Sequence, residues 1–551
     1  MCLTRFGIFL ALLLAAPTFA DVKPHALFDH YMVLQRNATL PIWGTADPGE
    51  EIYVHLEVKT ADGNREEAQS VKADKDGKWI AKLAAFPVGT DGVLTIRGQD
   101  RKPEPKEKKG PNAVVFRDVA IGEVWVCSGQ SNMEWSLAAC PKAGGVETIN
   151  NSTNPMLRVF TVAKYAQPTP QSGFNPKPPT PKHHHWLPSQ PDNAPMFSAV
   201  AYFFGKQLQE SLKVPVGLIH TSWGGTPAQA WTSREALTAD GGLKYYLEQL
   251  DERAKTYDPN KAAQQYQLTL AKWEKAVEEA KKNKLPIPRK PGEPQAPGYG
   301  QNDAASLYNG MIAPVLPFAI KGAIWYQGES NAGKPIEYRS LFAEMIQDWR
   351  KRWGHDFPFY CVQLAPFQAG NPNADNWAHL REAQSIACAK VKNAGVAVIS
   401  DAGDLTDIHP QDKKPCGVRM GLLALAHTYG QKVEFSGPSY KAKKTDGNRL
   451  IVDFDHVAGG LKVGEFSFAG AESIGKDGKL VGFEVAGEDM KFHPATATIE
   501  GESVVLVSEA VGKPMHVRYG WKNFPIVNLF NKAGLPASPF RSDEVLPAGL
   551  K

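Results

Sequence analysis

Cysteine is scarce in this chain, with six in 551 residues. None stands in a Cys-x-x-Cys spacing or close to a histidine, which argues against a zinc site. A chain of this length needs no disulfide scaffold to hold its core. An excess of one charge is also lacking: 62 Lys and Arg against 58 Asp and Glu leave +4. No basic field is available to draw nucleic acid or an anionic membrane surface. After the first residues no apolar run reaches the roughly 18 needed to span a bilayer. No unit of about 20–50 residues repeats, which removes solenoids and propellers. With 42% hydrophobic and 22% charged residues, disorder is excluded as the dominant state. At about 150 residues per domain the length suggests roughly two to four domains.

Met1–Ala20 has the layout of an export signal. Arg5 supplies the positive start, Phe6–Ala16 the short apolar run, and Thr18-Phe19-Ala20 a small-residue cleavage site. The expectation is a secreted or periplasmic protein cut after Ala20, without stable insertion in a membrane. Cleavage removes Cys2 and leaves the odd set Cys127, Cys140, Cys361, Cys388 and Cys416, so at least one thiol is free or pairs between chains. Cys127 lies in an apolar, strand-like run and is expected as a buried thiol.

Residues 21–117 read as β throughout. Met32–Leu34, Leu40–Trp43, Glu51–Val58, Trp79–Leu83 and Val93–Ile96 are strand candidates, separated by turns such as Asp47-Pro48-Gly49. The expectation is a β-sandwich, with the charged run Arg101–Lys109 as a solvated loop. Residues 118–432 alternate strands and helices, which predicts a parallel α/β sheet. Its strands are Glu123–Cys127, Val216–His220, Ala319–Tyr326, Phe359–Leu364 and Gly395–Asp401. Its helices include Ala199–Ser211, Tyr338–Trp353 and Trp377–Lys390. A polar helical insertion is expected at about 236–300, with Tyr266, Leu270, Trp273 and Val277 on one face. Strand patterns return over 433–551, a C-terminal β-domain.

Chemistry concentrates at the ends of four strands. Cys127-Ser-Gly-Gln-Ser131 runs from a strand into a helix start. A serine on such a turn exposes its hydroxyl at the carboxyl edge of the sheet, among backbone N–H groups that can receive an oxyanion. The spacing is not the G-x-S-x-G elbow, and an N-cap serine has the same local look. Ile219–Pro227 brings Gly224 and Gly225 to a second strand end, where backbone can approach a ligand closely. Trp325–Asn331 adds the amides of Gln327 and Asn331 at a third. At the fourth, His409 stands beside acidic residues, as a base that takes a serine proton must. Trp135, Trp223 and Trp231 flank these motifs, either to stack on sugar rings or to pack below the site. His183, His184 and His185 fall in a Pro-rich stretch read as a solvated loop.

Gly129-Gln-Ser-Asn-Met133, Gly225, Gln327-Gly-Glu329 and Ile408-His-Pro410 resemble the successive blocks of the SGNH-hydrolase superfamily. More closely, the chain resembles the sialate O-acetylesterases. The likeness runs from Tyr31-Met-Val-Leu-Gln-Arg36 to the segment Asn528–Asp543. It implies an SGNH-type three-layer parallel-sheet hydrolase domain flanked by N- and C-terminal β-sandwich-like domains. It also implies a serine esterase that takes O-acetyl groups off sugars, most simply O-acetylated sialic acids, with acetylated xylan or another polysaccharide as the alternative. A glycan-binding protein on an inactive hydrolase fold is a third reading, which an intact Ser131 and His409 oppose.

Carried over by motif, Ser131 is the nucleophile and His409 the general base. Gly225 and Gln327 join the Ser131 N–H in the oxyanion hole, with Asn331 the alternative amide. The superfamily places an aspartate three residues before the histidine, where this chain has Thr406. The orienting group is then Asp407, with Asp404 or a backbone carbonyl as alternatives. No metal or cofactor is implied, and the partner is the acetylated sugar itself.

Overall fold

Ala113–Gly129 form one strand of 17 residues, and it organises the molecule. Its first half is partly exposed; from Val119 onward every residue is buried, as in a strand covered on both faces. The computed structural model describes residues 21–99, 112–468 and 473–544. The export signal expected at Met1–Ala20 and the charged run Arg101–Lys109 lie outside the described residues.

We number the strands of the central sheet: β1 is Ala113–Gly129, β2 Asn154–Thr161, β3 Val216–Ser222, β4 Gly322–Tyr326, β5 Phe359–Val362 and β6 Ala394–Ala397. The order is β2-β3-β1-β4-β5-β6, and each adjacent pair is parallel. The short strand Leu187–Ser189 adds antiparallel to β2. Helices cover both faces. Val126, Ala323, Trp325, Phe359 and Cys361 pack in one cluster with residues of Pro335–Trp353 and Asn376–Lys390. Their chain neighbours Trp125, Cys127, Ile324, Tyr326, Tyr360 and Val362 pack in another, with residues of Ala199–Leu212 and Lys414–Leu423. The alternation follows from the two-residue period of a strand. A buried large-to-small change in either cluster costs about 2–5 kcal/mol.

The N-terminal half of β1 pairs instead with Gly89–Arg97 and Val33–Gln35. The N-terminal strands are therefore hydrogen-bonded into the central sheet through one shared strand, which spans the change of sequence texture near residue 117. Glu51–Thr60 buries Ile52, Val54, Leu56 and Val58 in alternation. Its partner Gly63–Lys72 was not legible as a strand. It has no buried residue and ends the sheet, and its charges guard that open edge. A separate sheet joins Lys23–Pro24, Leu40–Thr45 and Lys78–Leu83.

The helix Pro259–Lys282 is mostly exposed. Tyr266, Leu270, Trp273 and Val277 are half-buried on one face, and the Trp273 indole donates to the Pro288 carbonyl at 2.8 Å. After residue 433 the described strands form three small sheets around a separate apolar cluster that includes Leu450, Val485, Val517 and Leu529. This region ties to the helices beside the central sheet through Asn523, whose side-chain oxygen accepts from Trp377 N at 2.9 Å. Arg541 adds paired contacts to Glu382 at 2.7 and 3.0 Å. All five cysteines from Cys127 onward are free and buried; Cys361 and Cys388 bring their sulfurs to 3.6 Å.

Candidate active site

β1 ends at Gly129, whose φ of +143° suits glycine. A Cβ there would stand 2.2 Å from the Tyr326 carbonyl oxygen of β4, so the close strand pairing requires glycine. The chain then turns into the short helix α1, Ser131–Glu134, and the half-buried Ser131 opens it. Ser131 Oγ and His409 Nε2 lie 2.8 Å apart, a hydrogen bond joining residues 278 positions apart in the chain.

His409 stands on an irregular segment between β6 and α2, the helix Lys414–Leu423. Asp407 Oδ1 accepts from the His409 backbone N–H at 2.8 Å and lies 3.4 Å from its Nδ1. Asp404 does something else: its Oδ1 accepts from Thr406 N at 2.9 Å, Thr406 Oγ1 at 3.2 Å and Asp407 N at 3.0 Å. That is an Asx-type turn. Of the two acids weighed from sequence, Asp407 is the one in reach of the imidazole. Trp135 stacks on the His409 ring at 5.1 Å and 17°. Burial, then Lys413, lowers the His409 pKa from its ordinary value, while Asp407 works to raise it. The ring is thereby biased toward the neutral form that a base needs.

Beyond β3, Gly224 N–H donates to Glu134 Oε2 at 2.6 Å. Lys164 holds the other oxygen of that carboxylate at 2.5 Å and lies 5.6 Å over the Trp223 ring. Gly224 sits against Ser131: a Cβ on it would come within 3.2 Å of the serine Cβ. Gly225 follows in the left-handed region, at φ +73°, and is exposed.

Gln327 departs from the donor role that the resemblance implies. It is fully buried, and its Nε2 donates to Thr226 O at 3.2 Å and Asn331 Oδ1 at 2.7 Å. Its Oε1 accepts from Tyr338 Oη at 2.9 Å. An NH₂ group has two hydrogens, so none remains for an oxyanion. Among the described residues Asn331 Nδ2 makes one donation, to Gln229 Oε1 at 3.1 Å, and keeps a second hydrogen.

Trp231 belongs to the core: it is fully buried, donates to Thr226 Oγ1 at 2.9 Å and meets Trp325 edge to face. The three consecutive histidines diverge. His183 meets Thr180 Oγ1 at 2.8 Å, His184 stacks on Phe174 at 4.8 Å, and His185 meets Asp29 at 2.7 Å. Among the described residues no group of three or more His, Cys, Asp or Glu is placed to hold a metal ion.

Sequence reasoning missed Asn132, Glu134, Glu329 and Lys413. Asn132 and Glu329 lie inside the motif blocks and Glu134 directly follows one, where position alone could have flagged them. Lys413 carries no local signal at all.

A parallel α/β sheet bearing this polar cluster at its carboxyl edge, together with the kinships below, makes the protein an ester hydrolase. The profile of carbohydrate esterase, sialic acid-specific acetylesterase, matches residues 297–418. The sialate O-acetylesterase of Homo sapiens is 26% identical over 97% of this chain and 95% of its own length. That of Rattus norvegicus is 28% identical over 93% of this chain and 92% of its own. The crystal structure of a carbohydrate acetylesterase from Xanthomonas citri aligns with a TM-score of 0.73 and 33% identity. That alignment covers 95% of this chain and all of the other. The chain belongs to the sialate O-acetylesterase family of carbohydrate esterases.

Proposed function

We propose that this esterase removes O-acetyl groups from carbohydrates through an acetyl-enzyme on Ser131, in an SGNH-type three-layer domain flanked by β-sandwich-like domains. The observation that carries the reading is the 2.8 Å contact between Ser131 Oγ and His409 Nε2. Ser131 Oγ attacks the acetyl carbonyl as His409 Nε2 takes its proton. The tetrahedral oxyanion accepts from the Ser131 and Gly225 N–H groups and from Asn331 Nδ2. Its collapse breaks the ester bond, and His409 returns the proton to the departing sugar oxygen. Water, deprotonated by His409, then attacks the acetyl-enzyme and releases acetate and free Ser131. Asp407 orients the imidazole and stabilises its charged form.

O-acetylated sialic acid is the substrate that the curated relatives' names support. A neutral acetylated polysaccharide such as xylan is the second reading, and one observation favours it. Lys164, the cation beside Trp223, is already paired with Glu134, which leaves it less to offer a sugar carboxylate. The apolar start at Met1–Ala20 supports export to the periplasm or outside the cell. Acetate release measured side by side on O-acetyl sialic acid and on acetylated xylan decides the substrate. An aryl acetate tests the chemistry, and equal turnover by the parent and Ser131→Ala removes the serine mechanism.

A further inference from the structure

One side chain beside Ser131 touches the histidine-bearing segment on both sides of His409. Asn132 Nδ2 donates to the carbonyl of Ile408 at 3.0 Å, one residue before His409. Asn132 Oδ1 accepts from the ammonium of Lys413, just before α2. The second Nδ2 hydrogen goes to Glu329 Oε1 at 2.5 Å. Asn132 and Lys413 are each only 1% exposed, and Glu329 Oε2 is buried with no partner among the described residues. Residues 398–413 form neither helix nor strand, so no backbone ladder holds this segment.

We infer that Asn132, clamped between Lys413 and Glu329, is the positioning residue that sets His409 against Ser131. Its place next to Ser131 in α1 makes the hydroxyl and the imidazole share one frame. A displacement of about 1 Å between reacting groups costs on the order of 10² in rate, so a single amide governs much of the turnover. Lys413 extends the frame: its ammonium lies 5.7 Å over the Trp135 ring, and that ring stacks on His409. The charged groups that face the imidazole are Asp407 on its own loop, Lys413 at the loop's end and Glu134 from α1. Lys413 favours the neutral ring, while the two carboxylates favour the charged one.

This inference rests on Ser131 and His409 as nucleophile and base, so Ser131→Ala is measured alongside. The full-length enzyme is assayed with an aryl acetate across pH. Asn132→Ala is expected to lose about 10² in kcat with KM within about threefold of the parent. The isosteric Asn132→Asp, which loses the donated bonds while preserving volume, should lose as much and serves if the alanine variant does not fold. Lys413→Met should lower kcat and move the acid limb of kcat/KM to higher pH, and Lys413→Arg should return the limb. A folded Asn132 variant with kcat within about threefold of the parent, or an unmoved limb in Lys413→Met, overturns the inference. If that happens while Ser131→Ala is inactive, only the positioning role falls. An active Ser131→Ala removes the mechanism, and the positioning role with it.

Discussion

Ser131 stands on a turn whose neighbours are fixed by backbone pairing: Gly129 is in register with Ser222 of β3 and Tyr326 of β4, and Gln130 N–H donates to the Tyr326 carbonyl. His409 stands on a loop without ladders, shaped by side chains: Asp404 closes one turn, Asp407 the next, and Asn132 spans the rest. Ser131 is thus placed by main chain and His409 by side chains. Most substitutions near Ser131 leave its backbone intact, whereas single changes around His409 can move the ring. Sensitivity to mutation should be uneven across two residues that touch.

On the proposed mechanism, removing Ser131 or His409 should have the largest effect. Ser131→Ala and His409→Ala should each lower kcat on an aryl acetate by roughly 10⁴-fold or more, with unchanged circular dichroism. A smaller, matched loss would mean that the pair does not act as a unit. Next comes Asn331→Ala, expected to cost about 10²–10³ in kcat with KM little changed, as loss of one oxyanion donor does. A change confined to KM would assign Asn331 to substrate binding instead.

Two aspartates then test the side-chain-built loop. Asp407→Asn should reduce kcat by about 10-fold or more, less than a buried triad acid because Asp407 is half exposed. Asp404→Asn retains an acceptor oxygen for the turn and should stay within about threefold. The reverse order would make Asp404 the orienting acid. The pH profile gives the subtlest readout. A lowered His409 pKa keeps the ring neutral into more acidic solution, so the acid limb of kcat/KM should fall below the ordinary imidazole value of about 6.5. Asp407 raises that pKa, so Asp407→Asn should carry the limb lower still. An unmoved limb would show that Asp407 acts by geometry and not by charge.

The contrast also explains what could be read in advance. Ser131 was legible because a strand pattern, Glu123–Cys127, runs directly into it, and apolar period and turn chemistry are local signals. His409 was legible by its acidic neighbours. Gln327 misled: its motif position suggested a donor, yet three bonds to Thr226, Asn331 and Tyr338 occupy its amide, and no local pattern predicts such partners. Gly63–Lys72 went unseen because an edge strand with no buried residue shows no apolar alternation.

Composition, charge balance, the alternation of strands with helices and the four polar strand ends belong to the sequence alone, since each follows from residue type and short-range period. Which strand ends meet was decided by the parallel order β2-β3-β1-β4-β5-β6, which brings Ser131, Gly225 and Asn331 to one edge. The contact of Ser131 with His409 and the clamp on Asn132 exist only in three dimensions. Hydrogen bonds between residues hundreds of positions apart depend on where the sheet puts them, and no window of sequence contains both partners.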